Sequence, residues 1–290
     1  MIDLHKYEIP GHVSLTVGQG GLPKILIETA SSSAEVYLHG AHVTHFQKKG
    51  EPPLLFMSAA SDFAAGKPIR GGVPLVFPWF GGREGLPAHG FARIESWQLT
   101  ATSLLPHGAV CLHFSLPTPE PYKVEWIVTV AETLSMELIV TNIADKEVTF
   151  ETCLHTYFQI SEIDAISITG LSGANGLNKL TGCDFVEGVS PIRFIAETEI
   201  VYSNTTAFVE IIDPPWNRKT RIATSGSNST VVWNPWIEKS QRMPDFGDGE
   251  YLQMVCVESG NIATNSVTLP PSAGASLKVE LSSEALRHEP

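Results

Sequence analysis

Apolar residues alternate with polar ones along much of the chain. The clearest runs cover 110–116, 124–130 and 134–140, in which every second residue is aliphatic, methionine or aromatic. Because successive side chains of a β-strand point to opposite faces, this pattern predicts strands that bury one face. Similar runs cover 148–157, 207–212, 229–233, 252–258 and 276–281.

Helical periodicity is rare in this sequence. A 3.6-residue stripe is suggested only for a turn or two near 58–65, whereas 24 glycines and 20 prolines interrupt the strand-like runs. These residues favour turns and disfavour long helices. No linker, repeat or charge boundary divides the chain, and all-β domains often reach this length. The sequence therefore predicts one all-β domain over 1–290, a large antiparallel β-sandwich or barrel with few short helices.

The charge balance limits the ligands that the protein can bind. Thirty-one acidic and nineteen basic residues give a formal charge of −12, while 43% of the residues are hydrophobic, enough for a large core. Binding to nucleic acid or to an anionic membrane depends on a basic surface, so we expect neither partner. A small anionic ligand is compatible with this charge if the few basic residues gather at one place.

The amino-terminal segment and the cysteines indicate the cellular compartment in which the protein is expected. Residues 1–7 lack the basic segment and apolar run of a secretory signal, and no stretch has the roughly 20 apolar residues of a membrane span. Cys111, Cys153, Cys183 and Cys256 form no Cys-x-x-Cys pair, so we expect reduced, mostly buried thiols in a cytoplasmic protein. The oligomeric state stays open, and a monomer is compatible with the sequence.

The segment from Lys67 to Arg93 is the most unusual in composition. It contains six glycines, four prolines and four basic residues, including Arg70 and Arg83. Such a segment predicts an ordered loop, and it lacks the Gly-Lys-Ser/Thr ending of a nucleotide-binding loop. The planar fork of arginine suits a phosphate or carboxylate, which predicts an anion site. The alternative is that these arginines pair with some of the many acidic residues.

Three histidines, His39, His42 and His45, resemble a metal cluster in their spacing. In a strand, however, residues three apart point to opposite faces, and His39 and His45 lie too far apart to share one ion. We therefore predict neither a metal site nor a cofactor.

Two other polar residues are candidates for chemistry. His155 shares the polar and aromatic face of a predicted strand with Cys153 and Tyr157, and Glu258 closes a second apolar strand. A histidine there either projects into a ligand cleft or is a hydrogen-bonded structural residue. A carboxylate after an apolar strand either lies at the surface or stands at the rim of a pocket, where burial would raise its pKa and make it a base. The nearby run 233–236, WNPW, could supply an aromatic floor.

These segments together resemble the hexose-6-phosphate mutarotase branch (glucose-6-phosphate 1-epimerases) of the aldose 1-epimerase family. The matching stretches follow the order of the family along most of the chain: GAHVTHF from Gly40, LLFMS from Leu54, IRGGVPLVFPWFG from Ile69, LPAHGFAR from Leu86, LHTYF from Leu154, VVWNPW from Val231 and VCVE from Val255. The resemblance implies a galactose-mutarotase-like β-supersandwich with a sugar cleft on one sheet. It also implies an isomerase that interconverts the α and β anomers of a hexose 6-phosphate, with glucose 6-phosphate as the expected substrate and no cofactor.

The resemblance also implies roles for individual residues. His155 is similar to the catalytic histidine of the family and Glu258 to its catalytic glutamate. Arg70 and Arg93 match positions associated with the substrate, here the phosphate, and His89 is similar to a second active-site histidine.

Asn178 departs from the pattern of the family. It stands where an aromatic-x-Asp-Lys run usually has aspartate, so a sugar-binding carboxylate is replaced by an amide. By this position the resemblance implies that Asn178 binds the substrate. The resemblance therefore leaves the preferred sugar open. Two alternatives to the expected function are a mutarotase for free aldoses and a non-catalytic carbohydrate-binding module, which would need neither His155 nor Glu258.

Overall fold

A computed structural model describes residues 4–117, 120–205 and 208–286. The predicted strand start Ala207, residues 1–3 of the amino terminus and both ends of the predicted 1–290 domain lie outside the described residues. In chain order the strands are β1 Val13–Val17, β2 Pro23–Glu28, β3 Ser32–Tyr37, β4 His42–Lys48, β5 Leu75–Val76, β6 Gln98–Leu104, β7 Val110–Leu116, β8 Tyr122–Val130, β9 Leu134–Asn142, β10 Val148–Phe150 and β11 Thr152–Leu154.

The remaining strands are β12 Tyr157–Gln159, β13 Ser167–Thr169, β14 Asn175–Asn178, β15 Cys183–Val186, β16 Thr198–Ser203, β17 Val209–Asp213, β18 Arg218–Ser225, β19 Ser229–Asn234, β20 Met254–Asn261, β21 Val267–Leu269 and β22 Gly274–Ala285. The α-helix of the described residues is α1, Trp236–Arg242. Short 3₁₀ turns cover His5–Tyr7, Gln19–Gly21, Ala92–Ile94, Pro106–Gly108, Pro214–Trp216, Glu250–Gln253 and Ala263–Asn265.

Two eight-stranded antiparallel sheets dominate the structure, which confirms the predicted all-β class. The first, here called the site sheet, has the order β15-β14-β16-β19-β20-β11-β5, with β12 also paired to β20. The second, the back sheet, has the order β13-β17-β18-β22-β9-β8-β7-β6. A four-stranded sheet, β1-β2-β3-β4, and the pair β10-β21 complete the architecture.

Alternation along β20 shows how the two faces of the site sheet differ. Val255 and Val257 belong to one hydrophobic core together with residues of the back sheet such as Met136. Burying each of these side chains stabilises the fold by about 1.5–3 kcal/mol. Met254 packs in a separate cluster on the opposite face, and Glu258 shares that face because strand side chains repeat every two residues. The core therefore fixes which residues face outward.

Several details differ from the sequence prediction. The run 148–157 is divided among short strands, and β20 continues to Asn261, so Glu258 lies inside a strand and does not close it. The chain turns near 58–65 without forming a helix, whereas α1 follows Pro235, whose ring restricts φ to a helical value. The four-stranded sheet was not predicted, because strands such as β4 are buried on both faces and lack alternation.

The structure shows the surroundings of the four cysteines and of the histidines near residue 40. The four cysteines are free, and three of them are buried while Cys183 is exposed. His39 and His42 direct Nε2 to different backbone carbonyls, those of Lys67 and Gly71, at 2.6 and 2.7 Å. Within the described ranges, no helix is long and apolar enough to cross a bilayer.

The buried His42 makes the stability of the fold depend on pH. Burial lowers the pKa of His42 to about 3, although its hydrogen bond to the carbonyl of Gly71 partly opposes this. The unfolded chain takes up a proton near pH 6.5 while the native imidazole stays neutral, so stability falls as the pH drops through this range. At about pH 5 the loss from this one group amounts to about 2 kcal/mol.

We expect His42→Gln to remove this part of the pH dependence. Urea unfolding of both proteins, at about pH 7.5 and about pH 5, measures it. The drop in unfolding free energy between these pH values should be smaller in the variant by about 2 kcal/mol, whatever its stability at neutral pH. An equal drop in both proteins would contradict the assignment.

Candidate active site

Strand register brings His155 and Glu258 together. Leu154 pairs with Ser259 and Tyr157 with Cys256, on either side of a two-residue break between β11 and β12. Continuing this register across the break places His155 opposite Glu258 on the same face of the site sheet. The predicted face of His155 is therefore correct, although the residue itself lies between strands.

The two side chains are in contact and almost inaccessible to solvent. His155 Nε2 lies 3.3 Å from Glu258 Oε1, and the side chains are 9% and 2% exposed. Burial raises the pKa of the Glu258 carboxyl well above its usual range, as predicted for a base in a pocket. Burial, with the charges of neighbouring basic groups, holds the pKa of His155 well below its usual range.

These opposite shifts make His155 and Glu258 a pair that shares one proton. Both shifts favour the neutral forms, imidazole and carboxylic acid. In the pH range between the titration of His155 and that of Glu258, the two groups therefore hold a single proton between them. Moving it across the 3.3 Å contact converts imidazole and carboxylic acid into imidazolium and carboxylate. The pair can therefore present one acid and one base to a ligand at the same time.

The pair forms part of the wall of a cleft with a volume of about 570 Å³. The Tyr157 ring stacks on His155 with centroids 4.9 Å apart, and Trp233 meets the His155 ring edge-on at 6.0 Å. Trp233 lines the cleft, as predicted for an aromatic floor, whereas Trp236 packs against Tyr251. These rings restrict the orientation of the imidazole.

His89 reaches the same cleft from the loop predicted around the six glycines. Its ring lies edge-on to that of His155, with centroids 5.5 Å apart. Burial and the nearby arginine charges lower the pKa of His89 to about 3, so the ring is neutral. Its Nδ1 accepts a hydrogen bond from the backbone N–H of Gly81 at 3.3 Å, which leaves the proton on Nε2. His89 is thus a neutral donor at the cleft.

Gly90 allows the loop to return close to β5. Its φ is +75°, and a Cβ at this position would lie 1.9 Å from the carbonyl oxygen of Phe77. Only glycine combines this conformation with such close backbone contact. Gly90 therefore fixes the place where the preceding His89 enters the cleft.

Arg70 lines the cleft, but an acidic partner already holds it. Its Nε and Nη2 donate to both carboxylate oxygens of Asp245 at 2.9–3.2 Å, and its Nη1 donates to the Tyr157 hydroxyl at 2.9 Å. Burial works against the charge of the guanidinium, but Tyr157 and Asp245 outweigh it and raise the pKa of Arg70. In this structure Arg70 is thus paired with an acidic residue, which is the alternative to an anion site given in the sequence analysis.

Arg93 lies beneath the loop and is not among the residues that line the cleft. Only 7% of it is exposed, its Nη2 donates to the carbonyl of Ala88 at 2.8 Å, and its Nε has no partner among the described residues. Burial lowers the pKa of Arg93 to about 10, so the side chain still carries a charge at neutral pH. It contributes a positive potential under the site.

Asn178 is used within its own turn and is also absent from the cleft lining. Its Oδ1 accepts hydrogen bonds from the backbone N–H groups of Leu180 and Thr181 at 2.9 and 3.3 Å. The next residue, Lys179, lines the cleft, is exposed and makes no ion pair with the described residues. Lys239 also lines it and is held by acidic side chains, including that of Glu199 at 2.9 Å.

Sequence reasoning missed several of the residues around the pair. The thiol of Cys153 donates to Glu258 Oε2 at 3.7 Å, and Asp245 lies 175 positions along the chain from its partner Arg70. The signal for Cys153 was its shared strand face with His155, whereas no sequence pattern pointed to Asp245.

A possible metal donor set coincides with the His–Glu pair. Nitrogen, sulfur and oxygen donors of His155, Cys256 and Glu258 lie within 4.8 Å of one another. Two of these donors already contact each other at 3.3 Å. Burial keeps the pKa of the Cys256 thiol well above its usual range, so the thiol is protonated in this structure.

Comparison with known proteins gives a family match over most of the chain. The aldose 1-epimerase family matches residues 23–282. A relative from Cenchrus ciliaris, provisionally named glucose-6-phosphate 1-epimerase, is 32% identical over 269 residues, which cover 87% of this chain and 82% of the relative.

The fold matches those of solved structures. A Salmonella typhimurium structure, provisionally described as a mutarotase, superposes with a TM-score of 0.88 at 28% identity over 97% of this chain and 96% of that one. A galactose mutarotase-like protein from Clostridium acetobutylicum gives a TM-score of 0.69 at 13% identity, over 94% of this chain and 98% of that one. The predicted supersandwich is confirmed.

Proposed function

Since the chain belongs to the aldose 1-epimerase family, we propose that it interconverts the α and β anomers of a hexose 6-phosphate, with glucose 6-phosphate as the first candidate. The observation that carries this proposal is the contact of His155 Nε2 with Glu258 Oε1 in the wall of an open cleft. A binding module has no need of a buried acid and base that share a proton.

The proposed reaction uses that shared proton directly. Glu258, as the carboxylate, takes the proton of the C1 hydroxyl while the imidazolium of His155 gives its proton to the ring oxygen. The bond between C1 and the ring oxygen breaks, and C1 becomes a carbonyl carbon. Rotation about the C1–C2 bond and reversal of both transfers then form the other anomer. Each group is expected to contribute about 10²–10⁴-fold to the rate.

The two reacting oxygens are both bonded to C1, so neighbouring groups can serve both of them. This suits a 3.3 Å contact, in which acid and base stand side by side. In the proposed complex His89 donates a hydrogen bond to the sugar from Nε2, while the stacked ring of Tyr157 keeps the imidazole in place.

We propose that the phosphate binds on the Arg70 side of the cleft, within the positive potential of the buried Arg93. Both charges lie close enough to lower the pKa of His155 and of His89, which supports a cationic environment around the pair. Lys179 is a further cation at the cleft. We assign no sugar contact to Asn178, whose amide oxygen caps its turn.

A second candidate, a mutarotase for free aldoses, is favoured by one observation. Asp245 occupies two nitrogens of Arg70, which leaves fewer donors for a phosphate. The two candidates share the His–Glu chemistry and differ only in the substrate.

Equilibration of freshly dissolved α-glucose 6-phosphate, followed by NMR or polarimetry, tests the proposal. We expect the purified protein to accelerate it strongly, and to act on free α-glucose with a much lower kcat/KM. Equal kcat/KM values on both sugars would favour the second candidate. No acceleration of either sugar would overturn the enzymatic proposal.

A further inference from the structure

The two carboxylate oxygens of Glu258 have different surroundings. Oε1 contacts Nε2 of His155 at 3.3 Å, whereas Oε2 lies 3.7 Å from Sγ of Cys153, with the thiol as donor. The exposed fractions of Cys153 and Glu258 are 0% and 1%. Glu258 lines the cleft and Cys153 does not, so the thiol lies on the protein side of the carboxylate.

The backbone leaves little freedom to this thiol. Cys153 pairs with Val76 on one side and with Gly260 on the other. A Cβ at Gly260 would approach Cβ of Cys153 to 2.8 Å and the carbonyl oxygen of Thr152 to 2.5 Å. The missing side chain at Gly260 therefore provides the space in which the Cys153 side chain lies beside Glu258.

We propose that Cys153 is a positioning residue, whose thiol holds Oε2 of Glu258 and so keeps Oε1 turned to His155 and the reacting oxygens. The proposal rests on the proposed function, because the contact of Cys153 with Glu258 is taken to serve the proton transfers of anomer interconversion. Thiols are weak donors. A buried carboxylate oxygen left without any donor, however, costs more than a weak hydrogen bond gives.

The electrostatic surroundings of Glu258 support this role. The groups that face it are contributed by several strands and by the loop: Cys153, His155, Tyr157, Glu199, Cys256 and Arg93. Burial raises the pKa of Glu258 and the hydrogen bond from Cys153 opposes this rise. Burial also raises the pKa of the Cys153 thiol well above its usual range, so the thiol keeps its proton and stays a donor.

Replacing Cys153 by alanine and by serine tests the proposal. In Cys153→Ala we expect kcat for anomer interconversion to fall by about 3–10-fold with little change in KM, as for a lost hydrogen bond of about 1 kcal/mol. The alkaline limb of the pH profile, where the pair loses its shared proton, should move to higher pH, because the carboxylate has lost a donor. Cys153→Ser supplies a hydroxyl donor and should restore both quantities.

A matched control and a second measurement separate this role from packing. Cys111→Ala removes a buried thiol of β7 in the back sheet and should leave kcat and the pH profile unchanged. The infrared S–H stretching band that disappears in Cys153→Ala should lie at lower frequency in the wild type than the band of a free thiol, whether or not the protein is active.

The outcomes separate the two proposals. An inactive wild type overturns the proposed function, and with it the assigned purpose of the contact, even if the infrared band shows the hydrogen bond. If the wild type is active and Cys153→Ala has the same kcat and the same pH profile, only the proposed role of Cys153 is overturned. A variant that loses activity without any shift of the alkaline limb and is not restored by serine also overturns that role.

Discussion

Glu258→Gln is expected to lose about 10²–10⁴-fold of the catalysed rate of anomer interconversion. Glutamine has nearly the same shape, so the packing of β20 should persist while the group can no longer accept the C1 hydroxyl proton. We expect kcat and kcat/KM for α-glucose 6-phosphate to fall together, because the lost interaction develops in the transition state. NMR of the two anomeric C1 protons measures the rate directly.

The stability of Glu258→Gln distinguishes lost chemistry from lost structure. The carboxyl is 1% exposed, and burial raises its pKa, so a neutral amide should be tolerated or should raise the melting temperature. Glu137→Gln, a change of the same type on β9 of the back sheet, serves as the matched control and should keep full activity. A wild-type rate in Glu258→Gln means that the base has been assigned to the wrong residue.

Arg70→Ala is expected to reduce kcat/KM for glucose 6-phosphate by about 10–100-fold, because hydrogen bonds to a charged group contribute about 1.5–3 kcal/mol each. The loss for free glucose should be clearly smaller, since that sugar offers no phosphate to the guanidinium. Equal losses on both sugars would remove Arg70 from phosphate binding. Parallel anomerisation assays on the two sugars give the comparison.

The partners of Arg70 require a second variant. Alanine leaves the carboxylate of Asp245 without its ion pair, and this side chain is only 13% exposed, so Arg70→Ala is also expected to destabilise the fold. Arg70→Lys keeps the charge but cannot pair in the bidentate manner of arginine. We expect lysine to restore much of the stability and part of the discrimination between the phosphorylated and the free sugar.

The alternation of apolar residues predicted the sheets well where one face is buried. The runs that became β7, β8 and β9 are of this type, with Val128 and Met136 in the core. It missed β4, which is buried on both faces, and β15, a largely exposed edge strand. It also placed Glu258 at the end of its strand, because the following Ser259 and Gly260 look like a turn in sequence.

The site was partly predictable, because the two-residue periodicity of a strand determines which side chains share a face. Strand periodicity placed His155 on the correct face and singled out Glu258 after an apolar run, but only the pairing of two distant strands brings them within 3.3 Å. The pairing of Arg70 with Asp245 depends on where the chain returns after α1, which no local pattern encodes. The expected contact of Asn178 with the substrate came from the family resemblance, whereas its amide oxygen accepts a hydrogen bond within its own turn.

The two-residue break between β11 and β12 has a consequence for the changes of length that this chain can accept. Leu154 and Tyr157 keep one register with β20 across the break. One residue inserted there would turn either His155 or Tyr157 toward the core, whereas an insertion of two residues would preserve the faces. The length of this segment is therefore as constrained as the side chains around the pair, and we expect it to accept inserted residues only in even numbers.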